Sequence, residues 1–326
     1  MTAGIISVGS YIPAKRVSNE ELSKTVDTSD EWIKSHTGIG NRHIASEEET
    51  CSYMATEAAK DALNRAGLVK EDLDFIIVAT ITPDYKDFPA TANLVQRNLE
   101  IGNIGSIDIK AACTGFAYGL ELGRGLILGG TAKKVLVVGA EKLSAITNWD
   151  DRGTAVLFGD GAGAAVMGSV DEGTGIVDSV LRTDGTGYDA LNMPTGGTAT
   201  PYKPGETPKE DMYLYMDGQR VYNFAVKVNV DIVKELMDRN NLIPEDIDYI
   251  VPHQANYRII LAASRRSKIP LDKYYLNMEE YANTSSASIP LALAEMDSKG
   301  LLKKGMKILT VGFGGGLTYG GNYIVW

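Results

Sequence analysis

The sequence predicts an α/β protein of five stacked layers, α/β/α/β/α, built from two related halves. Three observations carry that expectation. The run GLVKEDLDFIIV at 67–78 returns as NLIPEDIDYIV at 241–251, an offset of 174. The run KKVLVVG at 133–139 returns as MKILTVG at 306–312, an offset of 173. The repeated runs are also too apolar for a half-exposed sheet, and strands of that kind sit between helix layers. The length of 326 residues agrees, since a domain takes roughly 150.

The elements follow in order. Apolar residues at helical spacing (Ala58, Ala59, Ala62, Leu63) predict a helix over 57–66, and the β-rich run at 75–79 a strand. Alternation at 107–112 predicts a strand, and helix-spaced apolar residues fill 116–128. Strands are expected at 135–138 and 164–167. The acidic, glycine-containing stretch 168–178 separates the halves, which gives units 1–172 and 173–326. The Gly-, Thr- and Pro-rich segment 195–209 reads as a surface loop. A helix is expected at 231–240 (Ile232, Val233, Leu236, Met237), a strand at 249–251 and a helix at 290–296.

Composition narrows the function. The chain carries 42 acidic and 32 basic residues, a net charge of −10, which speaks against nucleic acid and against charge-held binding to anionic lipid. Two cysteines make no disulfide scaffold, and with three histidines they make a poor zinc inventory. No basic segment precedes the first apolar stretch, and no apolar run approaches the ~20 residues a bilayer requires. A soluble, cytoplasmic protein is expected.

Three residues stand out as chemistry. Cys113 falls at a strand-to-helix turn, where free N–H groups and the helix dipole favour a thiolate and can hold an oxyanion. A buried structural cysteine is the alternative reading. Cys51 lies in an acidic, loop-like stretch and reads as a bystander. His253, in PHQAN at 252–256, follows directly on a repeated strand, and strand C-termini in α/β folds line sites. A hydrogen-bonded structural histidine is equally open on that context. Asn283 opens NTSSAS at 283–288, a segment that holds the place of the Cys113 turn in the other half. Helix capping explains that segment as well. The run GFGGG at 312–316 fits neither dinucleotide nor P-loop motif. Its glycines let backbone approach a ligand closely.

Together these segments resemble β-ketoacyl-acyl-carrier-protein synthase III, a thiolase-superfamily condensing enzyme, over essentially the whole chain. The motifs are DTSDEWI at 27–33, TGI at 37–39, RHI at 42–44, AACTG at 111–115, DRGT at 151–154, FGDGAG at 158–163, PHQAN at 252–256, NTS at 283–285 and GFGGG at 312–316. The resemblance implies a thiolase-like fold, its duplicated halves related by a pseudo-twofold axis. It implies the initiating condensation of type II fatty-acid synthesis. Cys113 takes an acyl group from acyl-CoA, and malonyl-acyl-carrier protein then loses carbon dioxide and attacks it. His253 and Asn283 stabilise the enolate, and the N–H groups of Cys113 and Gly315 form the oxyanion hole. No cofactor or metal is implied, because acyl-CoA is a substrate.

Further positions follow from the same resemblance. Trp32 and Arg152 sandwich the adenine of CoA, and Thr28, Gln219, Tyr222 and Asn256 line its tunnel. Leu143 and Phe158 wall the acyl pocket, and Phe88 closes the pocket of the partner subunit, which implies a homodimer. Arg258, Arg265 and Arg266 match the carrier-docking surface, a basic patch on an acidic protein. His36, Asn223 and Gln219 depart from the residues usual in the family, which leaves the acyl donor open. Two alternatives stand beside this reading. One is a related synthase or acyltransferase of polyketide or quinolone type. The other is a non-catalytic acyl-CoA-binding or thiol-sensing protein, although a sensor has no need of His253 and Asn283.

Overall fold

The computed structural model of the chain describes residues 2–326. Five strands form the first sheet: Thr2–Tyr11 (β1), Phe75–Ala79 (β2), Gly105–Ile109 (β3), Val135–Glu141 (β4) and Gly161–Val170 (β5). Their spatial order is β1-β5-β4-β2-β3. Four strands form the second sheet: Gly175–Thr183 (β6), Tyr249–Pro252 (β7), Lys307–Gly314 (β8) and Thr318–Val325 (β9). Their order, read from the same end, is β6-β9-β8-β7.

The two sheets match strand for strand. In each, the edge strand pairs antiparallel with its neighbour, that neighbour pairs antiparallel with the next, and the following pair is parallel. Where the first sheet adds β3, the second has a single parallel bridge from Ile250 to Tyr274. Every residue of β4 is buried, as expected of a central strand covered on both faces.

Six helices matter for the site: Asp30–Thr37 (α1), Cys51–Ala66 (α2), Gly115–Leu128 (α3), Gly218–Arg239 (α4), Tyr257–Ser267 (α5) and Ser288–Ser298 (α6). Helices α3 and α6 lie between the sheets and touch strands of both. Helix α2 covers the outer face of the first sheet, and α4, backed by α5, covers the outer face of the second. That is the five-layer stack. Close approach of α3 depends on small residues. A Cβ on Gly119 would stand 2.7 Å from Val137, and one on Gly123 would stand 2.9 Å from Met167.

One local expectation changes. Cys51 is not in a loop. It opens α2 behind the Thr50 cap, is 2 % exposed, and its thiol lies 3.3 Å from Thr80 Oγ1 and 3.4 Å from the Ala140 carbonyl. The apolar side of the turn buries it, and the acidic residues before it stay outside. The segment 195–209 is an exposed loop hung from a two-residue ladder, Leu191–Asn192 against Tyr215–Met216. Among the described residues, no helix is long and apolar enough to cross a membrane.

Candidate active site

Cys113 lies on a single 3-10 turn, Ala112–Thr114, between β3 and α3. Ala112 takes the left-handed φ of 45°, an uncommon state for a residue with a Cβ. The other half straps the turn in place. Thr318 Oγ1 donates to the Ala111 carbonyl at 2.8 Å and lies 2.9 Å from Thr114 Oγ1. Gly314 presses its backbone on the same turn, and a Cβ there would stand 2.6 Å from the Cys113 nitrogen. The glycine run thus serves close approach.

Burial opposes the thiolate expected at Cys113. Its side chain is buried, and desolvation, with the charge of Glu141 behind it, pushes the thiol up to about 12. The Ser285 hydroxyl and the residue's own N–H act the other way, as does a helix start.

His253 directly follows β7, its N–H donating to the Val311 carbonyl at 2.7 Å. It is 1 % exposed. Burial lowers the imidazole to about 3, so the ring is neutral. Nδ1 lies 2.7 Å from Ser288 Oγ, and Phe313 meets the ring edge-on at 5.3 Å. Ser288 Oγ also accepts from the Gln254 N–H at 3.4 Å. A hydroxyl can accept twice, so either ring tautomer fits this contact; with Ser288 donating to Nδ1 the ring proton lies on Nε2.

Asn283 uses its Oδ1 to accept the Ser285 N–H at 2.9 Å, which leaves its amide NH2 as the free end. Cys113, His253 and Asn283, with Phe313, Gly315 and Ser285, line one cavity of about 650 Å³. Residues 140 and 170 positions apart in the chain therefore share one chamber between the sheets.

Trp32 stands at the wall of this cavity. The Arg152 guanidinium lies 4.7 Å from the centre of its ring, and His36 stacks on it at 4.3 Å and 17°. Leu143, Phe158, Gln219, Tyr222, Asn256 and Arg258 also line the cavity. The amide of Asn256 is engaged at both ends, Oδ1 capping α5 and Nδ2 donating to the His36 carbonyl. Thr28 is not among the lining residues, and its Oγ1 is buried without a partner. Phe88 is not among them either, and is 86 % exposed. Arg265 and Arg266 are exposed on the last turn of α5. Among the described residues, no group of three or more His, Cys, Asp or Glu is placed to hold a metal.

This geometry has close parallels. The family profile described as 3-Oxoacyl-[acyl-carrier-protein (ACP)] synthase III matches residues 107–185, and its C-terminal companion matches 237–326. A β-ketoacyl-[acyl-carrier-protein] synthase III of Caldanaerobacter subterraneus subsp. tengcongensis is 51 % identical, over 100 % of this chain and 98 % of that protein. The chain belongs to the β-ketoacyl-[acyl-carrier-protein] synthase III family.

Solved structures agree with the family and its thiolase-like fold. The synthase III of Aquifex aeolicus is 42 % identical with a TM-score of 0.91, covering 99 % of this chain and 100 % of that one. The priming β-ketosynthase of the R1128 polyketide pathway also matches, with a TM-score of 0.91 at 34 % identity, over 99 % and 96 % of the two chains. The fold is thus shared across branches, and of these two the Aquifex synthase III is the more identical.

The sequence reading of this family member missed four residues around the site. Ser288 and Phe313 orient His253, Ser285 binds Asn283 through its N–H and Glu141 through its hydroxyl, and Glu141 sits behind them. The hydroxyl run 284–288 was a visible signal but is equally the composition of a helix cap. Glu141 was visible as a carboxylate ending an otherwise apolar strand.

Proposed function

We propose that Cys113, His253 and Asn283 carry out the initiating condensation of fatty-acid synthesis in two stages. The observation that carries this reading is their convergence on one cavity, with His253 Nδ1 and Asn283 Oδ1 already engaged behind it. In the first stage the Cys113 sulfur attacks the thioester carbonyl of an acyl-CoA. The N–H groups of Cys113 and Gly315 hold the developing oxyanion, and CoA departs. In the second stage malonyl-acyl-carrier protein binds. His253, neutral and donating through Nε2–H, and Asn283, donating through Nδ2–H, stabilise the enolate as carbon dioxide leaves. The carbanion attacks the acyl-Cys113 and gives a β-ketoacyl-carrier protein. A neutral imidazole suits this role, since it donates without a proton to lose at working pH. Acyl-CoA enters as a substrate, and no resident cofactor is invoked.

Trp32 and Arg152 hold the adenine, but only after they part. A base between them takes about 7 Å, two stacking contacts, against the 4.7 Å observed. Gln219, Tyr222 and Asn256 line the path of CoA, with Asn256 acting through the helix it caps. Thr28 stands behind that wall. Leu143 and Phe158 bound the acyl group. The exposure of Phe88 supports a homodimer in which it reaches the partner's pocket. Arg258, Arg265 and Arg266 meet the acidic carrier protein at the cavity mouth. We read the chain as units 1–172 and 173–326, working in the cytoplasm.

The test is intact-protein mass spectrometry after exposure to a panel of acyl-CoAs. One acyl adduct is expected, located on Cys113, absent in Cys113→Ala and cleared by malonyl-acyl-carrier protein with formation of a β-keto product. No adduct with any donor would sink the reading.

A further inference from the structure

The two-stage reaction leaves the most deeply buried charge of the site without a task. Glu141 ends β4 and has no exposed surface. Among the described residues, no basic side chain pairs with it. Its partners are four hydroxyls and one amide. Oε1 accepts from Ser285 Oγ at 3.1 Å and Ser286 Oγ at 2.9 Å. Oε2 accepts from Thr82 Oγ1 at 2.6 Å and Thr80 Oγ1 at 3.2 Å, and the Ile81 N–H reaches both oxygens. A carboxylate buried without a cation is costly. Hydroxyls differ from amide donors in one respect: each both donates and accepts, so a chain of them can pass a proton.

One of these hydroxyls belongs to the wall of the Cys113 chamber. Ser285 Oγ donates to Glu141 at 3.1 Å, and Ser285 lines the cavity with Cys113 on a turn packed against the Cys113 turn, where its hydroxyl favours the thiolate. Ser285 holds a left-handed φ of 49°, and its N–H is fixed by Asn283. A non-glycine residue keeps such a conformation only where its surroundings enforce it.

We propose that Glu141 is a positioning residue that also takes the Cys113 proton, relayed through the Ser285 hydroxyl. This rests on Cys113 being the nucleophile. As the S–H bond breaks, its proton passes to Ser285 Oγ, and the proton of Ser285 passes to Glu141 Oε1. The products are a thiolate and a neutral carboxyl. CoA leaves as a thiolate and takes its proton from solvent. When condensation frees the Cys113 thiolate, the proton on Glu141 returns by the same path. The buried cluster carries one negative charge throughout, whereas losing the thiol proton to solvent would leave two charges side by side. His253 is poorly suited to the task, being neutral and committed to Ser288.

Cys51 also reaches Glu141, through Thr80, but it does not line the cavity. The other ionisable groups nearby have separate engagements: Asp84 binds Ser52, Asp160 binds Ala45 and Ser144, and Lys142 reaches the Ser46 carbonyl. Burial lifts Glu141 itself to about 7, so it gains and loses a proton near neutrality.

The experiment is the pH profile of Cys113 alkylation by iodoacetamide, with the adduct located by peptide mass spectrometry so that Cys51 does not contribute. From pH 6 to 8.5 the wild-type rate should rise about tenfold and flatten once Glu141 has ionised. Glu141→Gln should climb about three-hundredfold along a straight line, as an isolated thiol does. Ser285→Ala leaves Glu141 its other partners and should also lose the plateau, so it carries the test if the first variant does not fold. A plateau that persists in both variants, or a wild-type rate that climbs without bending, overturns the proposal. Acylation by acyl-CoA is followed in parallel. If alkylation bends as expected but no acyl-CoA labels Cys113, the synthase reading fails and the relay stands.

Discussion

His253 shows how a single residue takes its orientation from a neighbour. Its neutral state comes from burial and its direction from Ser288, 35 residues along the chain. Ser288→Ala should therefore lower carrier-dependent condensation about tenfold, the worth of one hydrogen bond. Acylation of Cys113 should be unchanged, as measured by the rate of adduct formation. An equal fall in both would show that Ser288 supports the cavity and not the imidazole. At this scale residue type and strand position marked Cys113, His253 and Asn283 as candidates and left a structural reading open for each, and the family resemblance singled them out. Ser285, Ser288 and Glu141 were not legible, because their contacts join distant segments. For Cys113 the helix start was visible and the depth of burial, which opposes the thiolate, was not.

Among the elements, α5 joins the site to the outer surface. Asn256 caps its start, Arg258 lines the cavity, and Arg265 and Arg266 stand exposed at its end. The Arg258 Nε–H also donates to the Ser35 carbonyl at 2.9 Å, which ties α5 to the helix bearing Trp32. Reversing the charge of Arg258 would disturb the CoA side as well. Arg265→Glu with Arg266→Glu is the cleaner variant. It should raise the KM for malonyl-acyl-carrier protein about tenfold at low salt and spare acylation by acyl-CoA, with the difference shrinking as salt is added. An unchanged KM would remove these two residues from the docking surface. Strands and central helices were legible from apolar patterning, to within a few residues of their ends. The run before Cys51 misled because its acidic residues describe only the outer side of a turn whose inner side is core.

For the whole molecule, the buried carboxylate sets a pH dependence. Glu141 is held near 7 in the fold against an ordinary 4.5. The folded state thus keeps this proton more tightly than the unfolded chain. Stability is undiminished below about 4.5 and is lost as pH rises toward 7, by up to about 3 kcal/mol. Glu141→Gln should be more stable than wild type at pH 8 by up to that amount, with the advantage fading toward pH 4.5, as read from urea unfolding at a series of pH values. An advantage that does not vary with pH would mean that Glu141 ionises at little cost.

The two echoes in the sequence become two sheets of matching strand order, and the match extends to the site. Ala112 and Ser285 are the two left-handed residues of equivalent turns, 173 positions apart. One step further on, Cys113 in the first turn answers to Ser286 in the second. The same bend was therefore put to two uses. One copy kept a sulfur and faces the chamber, and the other carries an oxygen and binds the carboxylate behind it. Neither copy works alone, because the reactive turn is strapped by Thr318 and the supporting turn is anchored by Glu141, each from the opposite half. The two matching turns thus differ in use, one presenting its sulfur to the cavity and the other gripping the carboxylate behind it.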